Sequence, residues 1–197
     1  VIADLDMQLV RDDTAGIQMQ LPTAAVTFTE YQPPFAKYDG QRDLSAARVL
    51  MISQTGDAGR LRGLYEVLQV LDIMPTEGPR SLQGNSFTIE GIGDGVHSYA
   101  TASLQDGEIK GFVLVWPAGD DRRRARVLDL MNSSFARLDG TLDPNLVPAS
   151  EDQAIDMIAG LSVRQPKLSR SGFYVSRDGM VVTTPESVDS CARITFD

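Results

Sequence analysis

The chain has 197 residues, 42% hydrophobic and 23% charged, which is ordinary for a water-soluble globular protein with one or two cores. Lys plus Arg number 18 against 27 Asp plus Glu, a formal net charge of -9. That balance argues against a nucleic-acid backbone as the main partner, because phosphate binding needs a basic face, and no run of about 18 apolar residues exists to span a bilayer.

In chain order, residues 1–13 form an N-terminal segment in which Ile2, Leu5, Leu9 and Val10 fit one face of a short helix. The first residue is Val1, which fits either a removed leader or a trimmed chain. Ile17-Gln-Met-Gln-Leu21 alternates with period two and predicts a half-buried strand ended by Pro22. A second strand is predicted over Ala25–Phe28, then a Pro- and Gly-marked loop from Gln32 to Gly40. Residues 47–53 read as a buried strand. Asp57 can cap a helix running to about Asp72, whose apolar face holds Leu61, Leu64, Tyr65, Leu68 and Leu71.

Residues 75–84 read as a loop, followed by an antiparallel meander over 86–90, 96–104 and 109–116. Asp106-Gly107 joins its last two strands, since both residues tolerate positive φ. The third strand is apolar on both faces, which predicts a central place in the sheet. A second helix is expected over 121–135 with Val127, Leu128, Met131 and Phe135 inward, and with Arg122, Arg123 and Arg124 as a solvated basic corner. Residues 138–168 read as a linker. Within it Ser150 and Gln153 form a capping box that opens a short helix through Ala154, Ile155, Ile158 and Leu161, stopped at Gly160.

Strands in groups with helices between them predict an α+β fold: an antiparallel sheet with helices packed on its face. Few residues carry chemistry. The one histidine, His97, falls on the predicted central hairpin and reads as an ordinary hydrogen-bonded residue. Gly91-Ile-Gly-Asp-Gly95 leads into a strand, so it is a turn and not a phosphate loop. No His/Cys cluster or metal-ligand spacing occurs, and no cofactor or metal is expected. No pair of carboxylates stands out for glycoside hydrolysis. The single cysteine, Cys191, cannot form an internal disulfide and reads as a buried, inert thiol.

Two stretches resemble known families. Gly16-Ile17-Gln-Met-Gln-Leu21-Pro22 and Asn132-Ser-Ser-Phe135 resemble the opening strand and closing helix end of Mog1/PsbP-like α/β sandwiches. The resemblance implies a binding or accessory module over 14–137. Ser171-Gly-Phe-Tyr-Val175, the turn Asp178-Gly179 and Met180-Val-Val-Thr183 resemble the first hairpin of bacterial trypsin-like peptidases. In that family the second strand runs into the catalytic His. Glu186 stands at that place here, and the family's Asp and Ser would lie past Asp197. The same resemblance implies that Cys191 is a half-cystine whose partner lies beyond the chain.

A triad needs an imidazole to take the nucleophile's proton, and a carboxylate lacks its near-neutral pKa. Residues 169–197 therefore read as the start of a degenerate trypsin-like domain. The expected function is a non-catalytic accessory or binding protein of the bacterial cell envelope, periplasmic or secreted. Its expected partners are proteins, met through Gly172, Phe173, Tyr174, Val175 and Cys191. Two rivals stand beside it: the N-terminal part of an active secreted serine peptidase, and a structural subunit of an envelope assembly.

Overall fold

The computed structural model describes residues 5–41, 44–146, 157–165, 168, 170–189 and 194. The chain divides into two compact units, Val1–Val163 and Arg164–Asp197. Ile2, Cys191 and the capping box at Ser150 and Gln153 lie outside the described residues.

The first unit is built on a seven-stranded antiparallel sheet. Its strands are β3 (Val26–Gln32), β4 (Phe35–Gly40), β5 (Arg48–Thr55), β6 (Arg80–Gln83), β7 (Ser86–Ile92), β8 (Val96–Gln105) and β9 (Glu108–Pro117), in the spatial order β3-β4-β5-β9-β8-β7-β6. A smaller antiparallel sheet holds β1 (Met7–Asp12), β2 (Ile17–Pro22) and β10 (Ala136–Arg137), with β2 in the middle. The two helices among the described residues are α1 (Ala58–Leu68) and α2 (Asp121–Ser134). The predicted α+β class and antiparallel sheet are both present.

The helices lie on opposite faces of the large sheet, not together on one. Leu61, Leu64 and Leu68 of α1 pack on Leu50, Ile52, Val113, Phe87 and Ile89. Val127 and Met131 of α2, with Ile17, Met19 and Leu21 of β2, pack on Val49, Met51, Phe112, Leu114 and Trp116. The central strands β5 and β9 thus feed side chains alternately into two cores, which is why they read as apolar on both faces.

The helix α1 forms where expected and ends at Leu68, a turn earlier than predicted. Asp57 accepts the Arg60 backbone N–H at 2.9 Å. Asp57→Ala is expected to cost about 1 kcal/mol of stability, read from urea unfolding, because it frees an orphan donor of the first turn. The Asp106-Gly107 turn also forms, with φ of 52° and 78°.

Several expectations give way. The predicted helix over 1–13 is strand β1, paired with β2 through six residues from Met7–Pro22 to Asp12–Ile17. Hairpin pairing with the next strand overrides a marginal helical spacing there. The predicted loop from Gln32 to Gly40 holds the buried strand β4, and Pro33-Pro34 is only its two-residue turn from β3. The predicted loop over 75–84 ends in edge strand β6, turned into β7 by Gly84-Asn85. Gly-Asn between apolar alternations was a hairpin signal in plain view.

The short helix expected through Ile158 and Leu161 is a hairpin of β11 (Met157–Ile158) and β12 (Leu161–Ser162). Ala159 and Gly160 take φ of 48° and 68°, so Gly160 serves a hairpin turn and not a helix stop. This hairpin belongs to the first unit: Leu161 is buried in the core, and the Asp72 N–H donates to the Ser162 carbonyl at 3.0 Å. Leu142, also from the expected linker, is buried on the opposite side of the sheet.

In the second unit, β13 (Phe173–Tyr174) pairs antiparallel with β14 (Val181–Val182), Phe173 opposite Val182 and Tyr174 opposite Val181. A short 3₁₀ turn follows at Pro185–Ser187.

Candidate functional site

The hairpin of the second unit is held locally. The Val175 N–H donates to the Met180 carbonyl at 2.9 Å, and the Met180 N–H to the Ser176 hydroxyl at 3.1 Å. Gly179 takes φ 90° in the turn. The Ser176 hydroxyl bond, and the Asp178 backbone N–H after it, hold the Asp178 carboxyl below the usual carboxylate range. The outcome is a ribbon whose apolar side chains face solvent. Phe173 is 73% exposed, and Tyr174, Val175, Met180 and Val182 are all more than half exposed. Gly172 precedes them, its backbone also exposed.

Glu186 lies exposed on the 3₁₀ turn after β14. Cys191 lies outside the described residues. His97 belongs to the other unit, on β8 opposite Trp116, where its Nδ1 lies 2.8 Å from Asp121 Oδ1. Among the described residues, no three His, Cys, Asp or Glu side chains gather in a way that could hold a metal ion. No described helix is long and apolar enough to cross a membrane.

The first unit holds polar groups that the sequence did not single out. Lys110 of β9 is fully buried. Its ammonium donates to the Gly16 carbonyl at 3.1 Å and to the Leu138 carbonyl, and pairs with Glu108 at 2.9 Å. Gly16 has φ +64°, and a Cβ there would sit 2.2 Å from the Gly140 carbonyl, so the turn that meets Lys110 needs glycine. Beside it Arg137 donates to the Ser103, Gln105 and Glu108 carbonyls. Burial pulls its guanidinium below the ordinary arginine value, offset by Glu108 and Asp106. Buried Asp12 accepts from the Ala15 N–H at 2.9 Å and the Tyr31 hydroxyl at 3.1 Å. Burial, and then the charge of Asp12, pushes the Tyr38 phenol up. Lys110, Arg137 and Asp12 are each spent on backbone or a neighbour, and together they fasten the small sheet to the large one.

The basic corner of α2 is less solvated than expected. Arg123 pairs with Asp120 at 2.7 Å, and Asp120 also accepts the Trp116 indole N–H at 2.9 Å. The Arg124 side chain is only 11% exposed and reaches Glu90 of β7 at 2.8 Å. One consecutive run thus supplies a helix-start ion pair and a helix-to-sheet tie.

The two stretches quoted for the Mog1/PsbP resemblance meet in space. Ala136 and Arg137, just past Asn132–Phe135, pair with Gln18 and Ile17. The Gln20 N–H donates to the Ser134 hydroxyl at 2.8 Å. Asn132 and Phe135 also border a concavity of about 180 Å³ with Thr101, Ser103, Lys110 and Phe112.

No protein-family model matches the chain, and no curated protein matches it. Among solved structures it is similar to the solution structure of cyanobacterial PsbP (CyanoP) from Synechocystis sp. PCC 6803. That similarity runs at 13% identity over 68% of this chain and 93% of that one, with a TM-score of 0.46.

Proposed function

We propose that the protein is a non-catalytic accessory or binding protein of the bacterial cell envelope, periplasmic or secreted. In this reading residues 14–137 are a Mog1/PsbP-like module, and 169–197 open a trypsin-like domain that has lost its base. The observation that carries it is the hairpin: five large apolar side chains, Phe173, Tyr174, Val175, Met180 and Val182, held in water. An apolar patch of this kind marks a surface that another polypeptide covers. A two-stranded ribbon is marginal alone and offers its free edges to a further strand.

Phe173→Ser is expected to abolish partner binding while shifting the stability of the first unit by no more than about 0.5 kcal/mol, because an exposed side chain lacks core contacts. Trp116 is the sole tryptophan and lies in the first unit, so its fluorescence reads that stability directly. Hydrolysis of casein by the purified protein, abolished by a serine-directed inhibitor, would overturn the non-catalytic reading.

One feature of the hairpin favours the second reading, the N-terminal part of an active secreted serine peptidase. Phe173 with Val182 and Tyr174 with Val181 are cross-strand pairs on opposite faces, so the ribbon is apolar on both sides, as a strand covered on both faces is. Under that reading the cover is the continuation of the same chain. A G-D-S-G-G stretch encoded past Asp197 supports it. A continuation without a nucleophile returns the case to an accessory protein.

A further inference from the structure

We propose a second binding site, on the first unit and independent of the hairpin, for a neutral hydroxyl-bearing ligand of the saccharide class. It lies where the large sheet runs out from under α2. The register aligns Ser81, Thr88 and Thr101 in one row across β6, β7 and β8, and Gln83, Ser86 and Ser103 in the next. Their strand neighbours Leu82, Phe87, Ile89, Ala100 and Ala102 all point into the core beneath α1, so both rows share the α2 face. The six positions form a grid of roughly 5 by 7 Å spacing. All six are uncharged in a chain that is 23% charged. The charges nearest them on this face, Glu90 and Lys110, pair with Arg124 and Glu108.

The grid does not end on a flat surface. Thr101 and Ser103 line a concavity of about 180 Å³ together with Lys110 and Phe112 of β9 and with Asn132 and Phe135 of the α2 end. The Phe112 and Phe135 rings lie 6.0 Å apart. Aromatic rings beside a few polar groups are the usual make-up of a small-ligand site.

The hydrogen-bond inventory selects the ligand. The Thr101 hydroxyl already donates to the Phe87 carbonyl at 3.1 Å, so toward the concavity it can only accept. The Ser103 hydroxyl already accepts from Arg137 at 3.2 Å, which leaves its proton to donate. Asn132, exposed at the rim, does both. Lys110 lends no attraction for an anion, since its ammonium is shared among Gly16, Leu138 and Glu108. One acceptor, one donor and one amide beside aromatic rings match a sugar hydroxyl, which gives and takes a proton at once. A carboxylate or phosphate would face the Thr101 lone pairs.

The test is a titration of the full chain with maltotriose, cellotriose and chitotriose, followed by amide chemical shifts. Saturable shifts confined to 81–88, 99–103, 110–112 and 132–135 are expected with at least one of them. Asn132→Ala and Thr101→Val should each weaken that binding about five- to tenfold, the loss of one or two hydrogen bonds. Arg126→Ala, an exposed change elsewhere on α2, should leave it unchanged. No saturable shift with any of the three overturns the proposal. So does binding that both variants leave intact, or binding at this face of acidic saccharides or peptides alone.

Discussion

Replacing Lys110 by alanine is expected to lower the unfolding free energy of the first unit by about 2–5 kcal/mol, since it empties the space of a long buried side chain and leaves the Leu138 carbonyl without that donor. The ammonium has no exposure and three partners, the Gly16 and Leu138 carbonyls and the Glu108 carboxylate. Gly16 sits in the β1–β2 turn and Leu138 follows β10 beside it, so one side chain ties the turn end of the small sheet to β9. Removal leaves the Leu138 carbonyl and Glu108 without that partner. The Gly16 carbonyl keeps the Leu138 N–H at 2.9 Å.

Lys110→Met keeps most of the volume and is expected to cost less, about 1–3 kcal/mol, the penalty of leaving a buried acceptor unmade. Urea unfolding followed by Trp116 fluorescence gives both values. Hydrogen exchange should also quicken in β1, β2 and β10 before it does in β5 and β9. If Lys110→Ala costs under about 1 kcal/mol, the lysine is a bystander and the small sheet is held by Ile17, Met19 and Leu21 alone.

Trp116→Ala is expected to cost about 3–5 kcal/mol, since it empties the largest fully buried side chain in the core beneath α2. The indole has a second duty. Its N–H donates to Asp120, the residue just before α2, at 2.9 Å. Asp120 makes no side-chain cap bond to the helix backbone, and its Oδ2 accepts from both Trp116 and Arg123. Trp116 therefore locates the start of α2 as well as filling space. Trp116→Phe retains a ring but removes that bond and part of the buried volume, so about 1–3 kcal/mol is expected, with Arg123 still satisfying Asp120. Far-UV circular dichroism through a urea series separates the two variants. Equal losses would mean that the hydrogen bond, not the packing, dominates at this position.

The hairpin and the sheet face make different demands on a reader of the sequence. The hairpin was legible at 171–183 because Asp178-Gly179 sits between two apolar runs, and local turn chemistry needs no partner strand. The sheet face was not. Ser81, Ser86, Thr88, Thr101 and Ser103 come from three strands, one of which read as a loop, and only the register lines them up. Lys110 was equally hidden: a lysine in an apolar strand gives no sign that carbonyls at 16 and 138 will surround it.

Sequence alone settled the features whose causes are local. Asp57 capping α1, the Leu61, Leu64 and Leu68 stripe, the Asp106-Gly107 turn, and the two-faced apolarity of β9 all follow from neighbours a few residues away. Tertiary structure decided what depends on distant partners. It turned residues 7–12 into a strand by pairing them with β2, and put α1 and α2 on opposite faces of the sheet. It also drew Arg124 against Glu90 and brought Asn132 and Phe135 to one concavity with Thr101 and Ser103. Backbone pairing and burial act between residues that lie outside any one short stretch, and no such stretch records which partner it will meet.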